Sequence, residues 1–201
     1  MKLISHRVNS ISKLLNTETK YGVEVDIRSN KNDLIIHHDP FSDGENFEEW
    51  LKVYNHDTLI LNVKEEGLES SLLDLMGKYG IKDFFFLDQS FPFLVKWARN
   101  GESRCAVRFS EYESIDTAIT LSNQVDWIWI DCFTNFPLTN SIYLSLKDLG
   151  FKLCLVSPEL QGRDPVHEIP LLYEALKINN FNIDAVCSKR IDIWEEELCK
   201  I

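Results

Sequence analysis

The chain has 201 residues, of which 44% are hydrophobic, and a formal net charge of −11. That length and apolar fraction suffice for a full core, and we expect a single domain over residues 1–201. The acidic excess argues against a nucleic-acid partner, because such binding depends on Lys and Arg that neutralise phosphates. A small anionic substrate held by a few local cations is compatible with it.

Short apolar runs alternate along the chain with amphipathic stretches of helical period. The predicted strands are Lys2–Ser5, Val23–Ile27, Leu59–Val63, Phe84–Leu87, Cys105–Phe109, Trp127–Ile130, Leu153–Val156 and Ala185–Cys187, with an extra short run at Leu34–Ile36. The predicted helices lie near 10–20, 46–54, 67–79, 91–99, 113–122, 140–149, 170–179 and 191–199. Two stretches, Asp39–Glu45 and Pro158–Pro170, are too long for simple turns and are predicted to be functional loops.

Strict alternation of strands and helices predicts parallel strands joined by crossover helices, an α/β fold. The repeated units match a compact (β/α)8 TIM-type barrel. The alternative is an open doubly wound sheet, which usually has a glycine-rich first turn. Here the first turn, His6–Ser10, contains no glycine.

The cysteines and the N-terminal segment bear on cellular location. None of the five cysteines forms a CxxC pair, and four lie within apolar runs, which favours buried thiols in a reducing compartment. No signal peptide or long apolar span is recognisable, so we expect a cytoplasmic protein without stable membrane insertion.

The second predicted strand carries two acidic side chains at alternate positions. Glu24 and Asp26 alternate with Val23, Val25 and Ile27. Alternate side chains share one face of a strand, so the two carboxylates would stand about 6.6 Å apart. Such a pair can bind one hard cation, Mg²⁺ or Ca²⁺. The alternative is an ordinary half-solvated antiparallel strand.

Polar or ionisable residues end every predicted strand, and the strand ends of a barrel meet at one rim. These residues are His6, Arg7, Arg28, His38, Asn62, Lys64, Asp88, Arg108, Asp131, Glu159 and Lys189. Two histidines beside a carboxylate pair suit phosphodiester chemistry, because one imidazole can take a proton while the other gives one. Fixed cations would stabilise the negative charge of the transition state.

Three segments, Ile4-Ser-His-Arg7, Val23-Glu-Val-Asp26 and Ile36-His-His-Asp-Pro40, resemble the glycerophosphodiester phosphodiesterase family, within the group that includes phosphatidylinositol-specific phospholipase C. The segment Leu87-Asp-Gln-Ser-Phe91 is similar to a further element of that family. The resemblance implies a (β/α)8 barrel, with His6 and His38 as the acid–base pair, Glu24 and Asp26 as metal ligands, and Lys64 at the phosphate.

The chain departs from the family pattern at three places. Val8 stands where the family usually has glycine, and Asn62 stands where it has a third acidic metal ligand. An amide oxygen can bind Mg²⁺ or Ca²⁺, but it removes one negative charge and should weaken the site. Lys189 follows the last strand where the family commonly has a Thr-Asp pair, which suggests a different or more anionic substrate.

The leading hypothesis is therefore a metal-dependent hydrolase of a small, glycerophosphodiester-like substrate, with a role in lipid metabolism. Its catalytic residues would be His6 and His38, and its metal ligands Glu24, Asp26 and Asn62. Arg7, Lys64, Arg108, Asp131, Glu159 and Lys189 would contact the substrate. One alternative is a phosphorus–oxygen lyase that releases a cyclic phosphate. Another, prompted by Asn62, is a non-catalytic barrel that binds a phosphorylated ligand or a partner protein.

Overall fold

The computed structural model describes residues 1–200. In that range the strands are β1 (Lys2–Ser5), β2 (Gly22–Asn30), β3 (Asp33–Ile36), β4 (Glu45–Asn46), β5 (Leu59–Val63), β6 (Phe84–Leu87), β7 (Ala106–Phe109), β8 (Trp127–Ile130), β9 (Lys152–Val156) and β10 (Ala185–Ser188). The α-helices are α1 (Ile11–Leu15), α2 (Phe47–Leu51), α3 (Glu69–Tyr79), α4 (Phe91–Arg99), α5 (Ile115–Thr120), α6 (Asn140–Asp148), α7 (Pro165–Ile178) and α8 (Ile191–Cys199). All the predicted strands are present, and the extra run at 34–36 lies in β3.

The sheet is curled and mostly parallel. Parallel ladders join β2, β1, β10, β9, β8 and β7 in that order, and on the other side of β2 they join β5 and then β6. The strands β3 and β4 extend β2 as an antiparallel hairpin. The predicted α/β class with parallel strands is thereby confirmed.

The junction between β6 and β7 differs from the others. It contains a single isolated bridge, between Phe86 and Cys105, and a hydrogen bond of 2.8 Å from the Phe86 N–H to the Arg104 carbonyl. No ladder runs along this edge in the part of the chain that the structure describes. Full closure of the barrel therefore stays a prediction, and we refer to this junction as the seam.

The core has two layers, because successive side chains of each strand point to opposite faces of the sheet. The inner cluster, enclosed by the curl, is Ile4, Ile60, Phe85, Leu87, Ala106, Trp127, Trp129, Cys154, Val156, Ala185 and Cys187. A larger outer cluster lies between the sheet and the helices. At the base of the interior, a Cβ on Gly22 would stand 2.7 Å from the Thr58 carbonyl oxygen, so only glycine fits there.

The prediction of a long loop at Pro158–Pro170 is wrong. A short 3-10 helix occupies Pro158–Gln161, and α7 begins at Pro165. Proline suits a first helical position, and Asp164 caps the helix by accepting a 3.1 Å hydrogen bond from the Val166 N–H. Pro170 lies inside α7 and does not end it, because the buried face formed by Ile169, Leu172 and Leu176 continues past it.

The cysteines follow the predicted pattern. Cys105, Cys132, Cys154 and Cys187 are buried free thiols, and Cys199 is exposed and free. No helix within residues 1–200 is long and apolar enough to cross a membrane.

Candidate active site

A cavity of about 450 Å³ opens at the carboxyl ends of the parallel strands. Nine of the predicted site residues line it: His6, Arg7, Glu24, His38, Asn62, Lys64, Arg108, Asp131 and Lys189. Asp88, Gln161, Trp129 and Phe133 also line it. This volume is typical of small-molecule sites.

Alternate side chains of a strand point to the same face of the sheet, and this brings the cavity residues together. On the inner face of β8, Trp129 belongs to the apolar cluster, and Asp131 follows two residues later at the rim. The inner face of β7 passes in the same way from Ala106 to Arg108. The interior therefore changes from apolar to charged toward the carboxyl ends.

Glu24 and Asp26 are fully buried, so the alternative of a half-solvated strand is wrong. Glu24 accepts hydrogen bonds from the Arg7 N–H (2.6 Å) and from Asn62 Nδ2 (2.8 Å). Asp26 Oδ2 accepts one from Asn9 Nδ2 (2.7 Å). The hydrogen bonds to Glu24 hold the first loop and β5 against β2.

Lys64 provides the nearest positive charge to this acidic pair. Its Nζ atom lies 3.2 Å from Asp26 Oδ1 and 3.2 Å from Asp88 Oδ2. The Nε atom of Arg7 is 3.7 Å from Asp26 Oδ2. Because Lys64 lies between the carboxylates of Asp26 and Asp88, it reduces the repulsion between them. Lys64 also lines the cavity and adds a positive charge to it.

Burial and the nearby Asp26 carboxylate raise the pKa of Glu24 to about 7. Burial disfavours a charged carboxylate, and a second negative charge disfavours it further. The hydrogen bonds from Arg7 and Asn62 oppose this effect. A further cation would favour the charged form of Glu24.

The acidic pair and Asn62 offer the oxygen ligands that Mg²⁺ and Ca²⁺ prefer. Asp26 Oδ1 and Asn62 Oδ1 are both buried and accept no hydrogen bond. Within residues 1–200, no group of three or more His, Cys, Asp and Glu side chains is arranged to hold a metal ion. The amide oxygen of Asn62 would complete the ligand set, and these three residues fit a hard cation in their chemistry.

His6 lies at the end of β1 with its side chain only 14% exposed, and its Nε2 is 3.8 Å from Glu24 Oε2. Burial, followed by the positive charge of Arg7, lowers its pKa to about 3. The lowered pKa favours the neutral imidazole, in which one ring nitrogen is a hydrogen-bond acceptor. The next residue, Arg7, has a left-handed backbone (φ 52°), a conformation that is costly for a residue other than glycine.

His38 lies two residues beyond β3 and lines the same cavity as His6. Its Nδ1 lies 2.7 Å from Asp39 Oδ1. Arg28 donates to the His38 carbonyl from Nε (3.1 Å) and Nη2 (2.9 Å), which fixes the backbone that carries the ring. His37 does not line the cavity.

Arg108 links two carboxylates of the site. Its Nε donates to Asp88 Oδ1 at 2.9 Å, and its Nη1 donates to Asp131 Oδ2. Gln161 donates to the other Asp131 oxygen at 2.9 Å. Burial raises the pKa of Asp131 to about 6, although Arg108 opposes the shift.

Glu159 does not line the cavity, unlike the other predicted substrate contacts. Its carboxylate accepts hydrogen bonds from Ser157 Oγ, from Ser188 Oγ (2.7 Å) and from the Lys189 N–H (2.8 Å). It ties the loop after β9 to the end of β10 and orients Lys189. A contact between Glu159 and the substrate stays a prediction.

The prediction omitted some residues of the site. Asp88 was recognised as a strand end but not assigned to the site, and its position directly after β6 was the available signal. Asn9 and Gln161 carry no comparable signal, because they lie in connecting segments and their contacts depend on the fold.

No protein-family model matches the chain, and no curated protein does so either. Similar solved structures include a glycerophosphodiester phosphodiesterase of Agrobacterium tumefaciens str. C58, with 13% identity, a TM-score of 0.67, and 98% of this chain and 99% of that one covered. A glycerophosphoryl diester phosphodiesterase of Parabacteroides distasonis shows 12% identity, a TM-score of 0.68, and coverage of 98% and 85%. Another A. tumefaciens protein, provisionally assigned to the same activity, reaches a TM-score of 0.70 at 12% identity, with coverage of 100% and 99%.

The chain has the fold of the glycerophosphodiester phosphodiesterases. The resemblance that the short motifs indicated is thereby confirmed at the level of structure. At 12–13% identity it establishes the fold and leaves the activity to be argued from the site.

Proposed function

We propose that this protein is a phosphodiester hydrolase that acts on a glycerophosphodiester-like substrate through His6 and His38. One observation carries the proposal: both histidines line a single cavity together with Lys64, Arg108 and Glu24 of the buried carboxylate pair. That combination supplies proton transfer and charge stabilisation at one place. The shared fold supports the same assignment.

Two proton transfers accompany the proposed first step. A glycerol hydroxyl next to the phosphodiester attacks phosphorus, and the P–O bond to the leaving alcohol breaks. Neutral His6 accepts the proton of the attacking hydroxyl, and His38 donates a proton to the leaving oxygen. The product is a cyclic phosphate, which water opens with the two histidines in reversed roles.

Cationic side chains stabilise the charge that develops on the non-bridging phosphate oxygens. Lys64 and Arg108 line the cavity and both pair with Asp88, and Arg7 and Lys189 add two further positive charges. We assign all four to phosphate contact. Both carboxylate oxygens of Asp131 already accept hydrogen bonds, from Arg108 and Gln161. We therefore assign Asp131 an indirect role, in which it orients these two residues toward the substrate.

We further propose that Glu24, Asp26 and Asn62 hold one Mg²⁺ or Ca²⁺ ion. When bound, the ion would supply positive charge beside the phosphate and offset the repulsion between the two carboxylates. The buried Oδ1 of Asn62, which accepts no hydrogen bond, supports this assignment.

We make two further proposals, one on the closure of the sheet and one on the cellular compartment. We propose that residues 1–201 form one domain whose sheet closes at the seam into a (β/α)8 barrel, supported by the bridge between Phe86 and Cys105. The free cysteines support a reducing, cytoplasmic compartment.

Phosphorus NMR of the reaction products tests the function. The protein, supplied with Mg²⁺ or Ca²⁺, is incubated with a glycerophosphodiester, and we expect the diester signal to convert to a glycerol monophosphate signal. Accumulation of a cyclic phosphate that is never opened would indicate the lyase reaction instead of hydrolysis. An unchanged diester with either ion would overturn the catalytic proposal in favour of a ligand-binding barrel.

A further inference from the structure

A second cavity adjoins the candidate active site. It has a volume of about 530 Å³ and lies at the seam, between the segment after β6, strand β7 and helices α4 and α5. Its walls include Leu94 and Thr117, and the exposed rings of Phe91 and Tyr112 lie at its edge. We call it the side cavity.

Asp88 and Arg108 line both the side cavity and the active-site cavity. Ala106 and Val107, consecutive residues of β7, also line the side cavity, although Ala106 belongs to the inner cluster and Val107 to the outer one. The side cavity therefore reaches both faces of the sheet at the one junction that lacks a ladder. It borders the proposed phosphate site at Asp88 and Arg108.

The position of the side cavity beside Arg108 indicates which part of the substrate it would bind. A phosphodiester has two alcohol parts, and the attacking glycerol stays with phosphorus in the active-site cavity. The leaving alcohol must extend away from it. A phosphate next to Arg108 has the side cavity as its neighbouring open volume.

The lining defines the chemistry of the occupant. Leu94, Phe91 and Tyr112 offer apolar surface, and Thr117 offers a hydroxyl. Arg108, the cation of this lining, already bonds to Asp88 and Asp131, and Glu113 adds a negative charge. A second anionic group would therefore be disfavoured.

We infer that the side cavity is the subsite for the leaving alcohol, and that it selects a bulky, partly apolar alcohol without negative charge. This inference rests on the proposed phosphodiesterase function and names the leaving-group class of that site. It predicts that substrate choice depends on residues of α5, which contribute nothing to proton transfer.

Three glycerol phosphodiesters test the inference. Their leaving alcohols are methanol, benzyl alcohol and 4-carboxybenzyl alcohol; the first two have similar acidity, so their rates compare binding. Burial of a phenyl ring should raise kcat/KM for the benzyl diester about ten- to hundredfold over the methyl diester. The carboxylate should remove most of that advantage.

The variant Thr117→Trp fills the side cavity and should lower kcat/KM for the benzyl diester to about the value for the methyl diester. The matched control is Thr120→Trp, an exposed position on the same helix that does not line the cavity, which should keep the preference. Methyl turnover without a benzyl preference in the wild-type protein would overturn the subsite and leave the proposed function standing. Failure to hydrolyse any of the three diesters would overturn both.

Discussion

The side-chain amide of Asn62 donates a 2.8 Å hydrogen bond to Oε1 of Glu24, deep inside the curled sheet. Where the related motif has a third carboxylate, this chain has an amide, which stabilises the charged form of Glu24 by donating a hydrogen bond and still offers an oxygen. The buried Oδ1 atom of Asn62 accepts no hydrogen bond. The amide therefore lets two buried carboxylates coexist without a third negative charge.

Replacing Asn62 by Glu should strengthen cation binding and weaken the fold without the cation. A third carboxylate adds a ligand charge, so the dissociation constant for Mg²⁺ or Ca²⁺ should fall by about tenfold or more. Without an ion, three buried carboxylates repel one another, and the Tm should drop.

Calorimetric titration of the chelator-treated protein measures the affinity, and thermal unfolding with and without the ion measures the stability. Asn62→Gln, which keeps the amide, serves as the control. An affinity that is the same in the wild type and in Asn62→Glu would remove Asn62 from the ligand set.

Replacing Lys64 by Met should reduce catalysis strongly. Its ammonium lies 3.2 Å from Asp26 and faces the cavity, so its loss removes a charge from the proposed phosphate site. Loss of one such group costs about 10²–10³-fold in rate. Steady-state kinetics on a glycerophosphodiester measure the effect.

The control for this change is Lys147→Met. Lys147 forms a more exposed ion pair with Asp184 (2.9 Å), and Asp184 immediately precedes β10 at the other end of the sheet. If both variants lose activity equally, the loss reflects general destabilisation, and Lys64 has no special role at the phosphate.

Arg28 is predicted to be a positioning residue for His38. It holds the His38 carbonyl with two nitrogen donors and its side chain is only 13% exposed. Arg28→Lys cannot reproduce that paired contact, and kcat should fall about ten- to hundredfold with little change in KM. Arg104→Lys, at an ion pair with Glu102 outside the site, should leave kcat unchanged. A change confined to KM would assign Arg28 to substrate binding.

Glu111 should contribute stability that depends on pH. Its carboxylate accepts from the N–H groups of Asn135 (2.5 Å), Thr134 (2.7 Å) and Phe133 (3.1 Å), and Phe133 lines the active-site cavity. Slight burial opposes the shift, but these backbone hydrogen bonds lower its pKa to about 2 from an ordinary 4.5. The charged form is thus favoured in the folded state.

A carboxyl group with a lowered folded pKa stabilises the protein above its unfolded pKa and loses that contribution as pH falls toward the folded value. The difference in free energy of unfolding between the wild type and Glu111→Gln should therefore be constant from pH 7 to about 5 and should shrink between about pH 4.5 and 3. Urea denaturation measures it, with the exposed Glu66→Gln as the control. A difference that does not change with pH would contradict the role of the charged carboxylate.

The strands were predictable because buried parallel strands need continuous apolar runs, and the runs at Leu59–Val63, Phe84–Leu87 and Trp127–Ile130 match their strands at both ends. The start of α7 was missed because Pro165 and Pro170 are typical of loops, although Pro165 is a favourable first helical residue.

The candidate site was predictable to the extent that its residues follow strands. His6, Asn62 and Arg108 occupy strand ends or inward positions, and their side chains meet in the cavity. The role of Glu159 was not predictable, because it depends on hydrogen bonds to Ser188 and Lys189, which are distant in sequence. The side cavity was equally hidden, since it arises from the missing ladder between β6 and β7.

The most direct test of the account compares two adjacent histidines. His38 faces the cavity and His37 does not, so hydrolysis of a glycerophosphodiester is measured for the wild type, His38→Ala and His37→Ala under identical cation conditions. We predict that His38→Ala loses about 10²–10⁴-fold in kcat, as expected for a general acid, while His37→Ala stays close to the wild type. Wild-type rates in both variants, or equal losses in both, would contradict the assignment of this cavity as a histidine-dependent phosphodiesterase site.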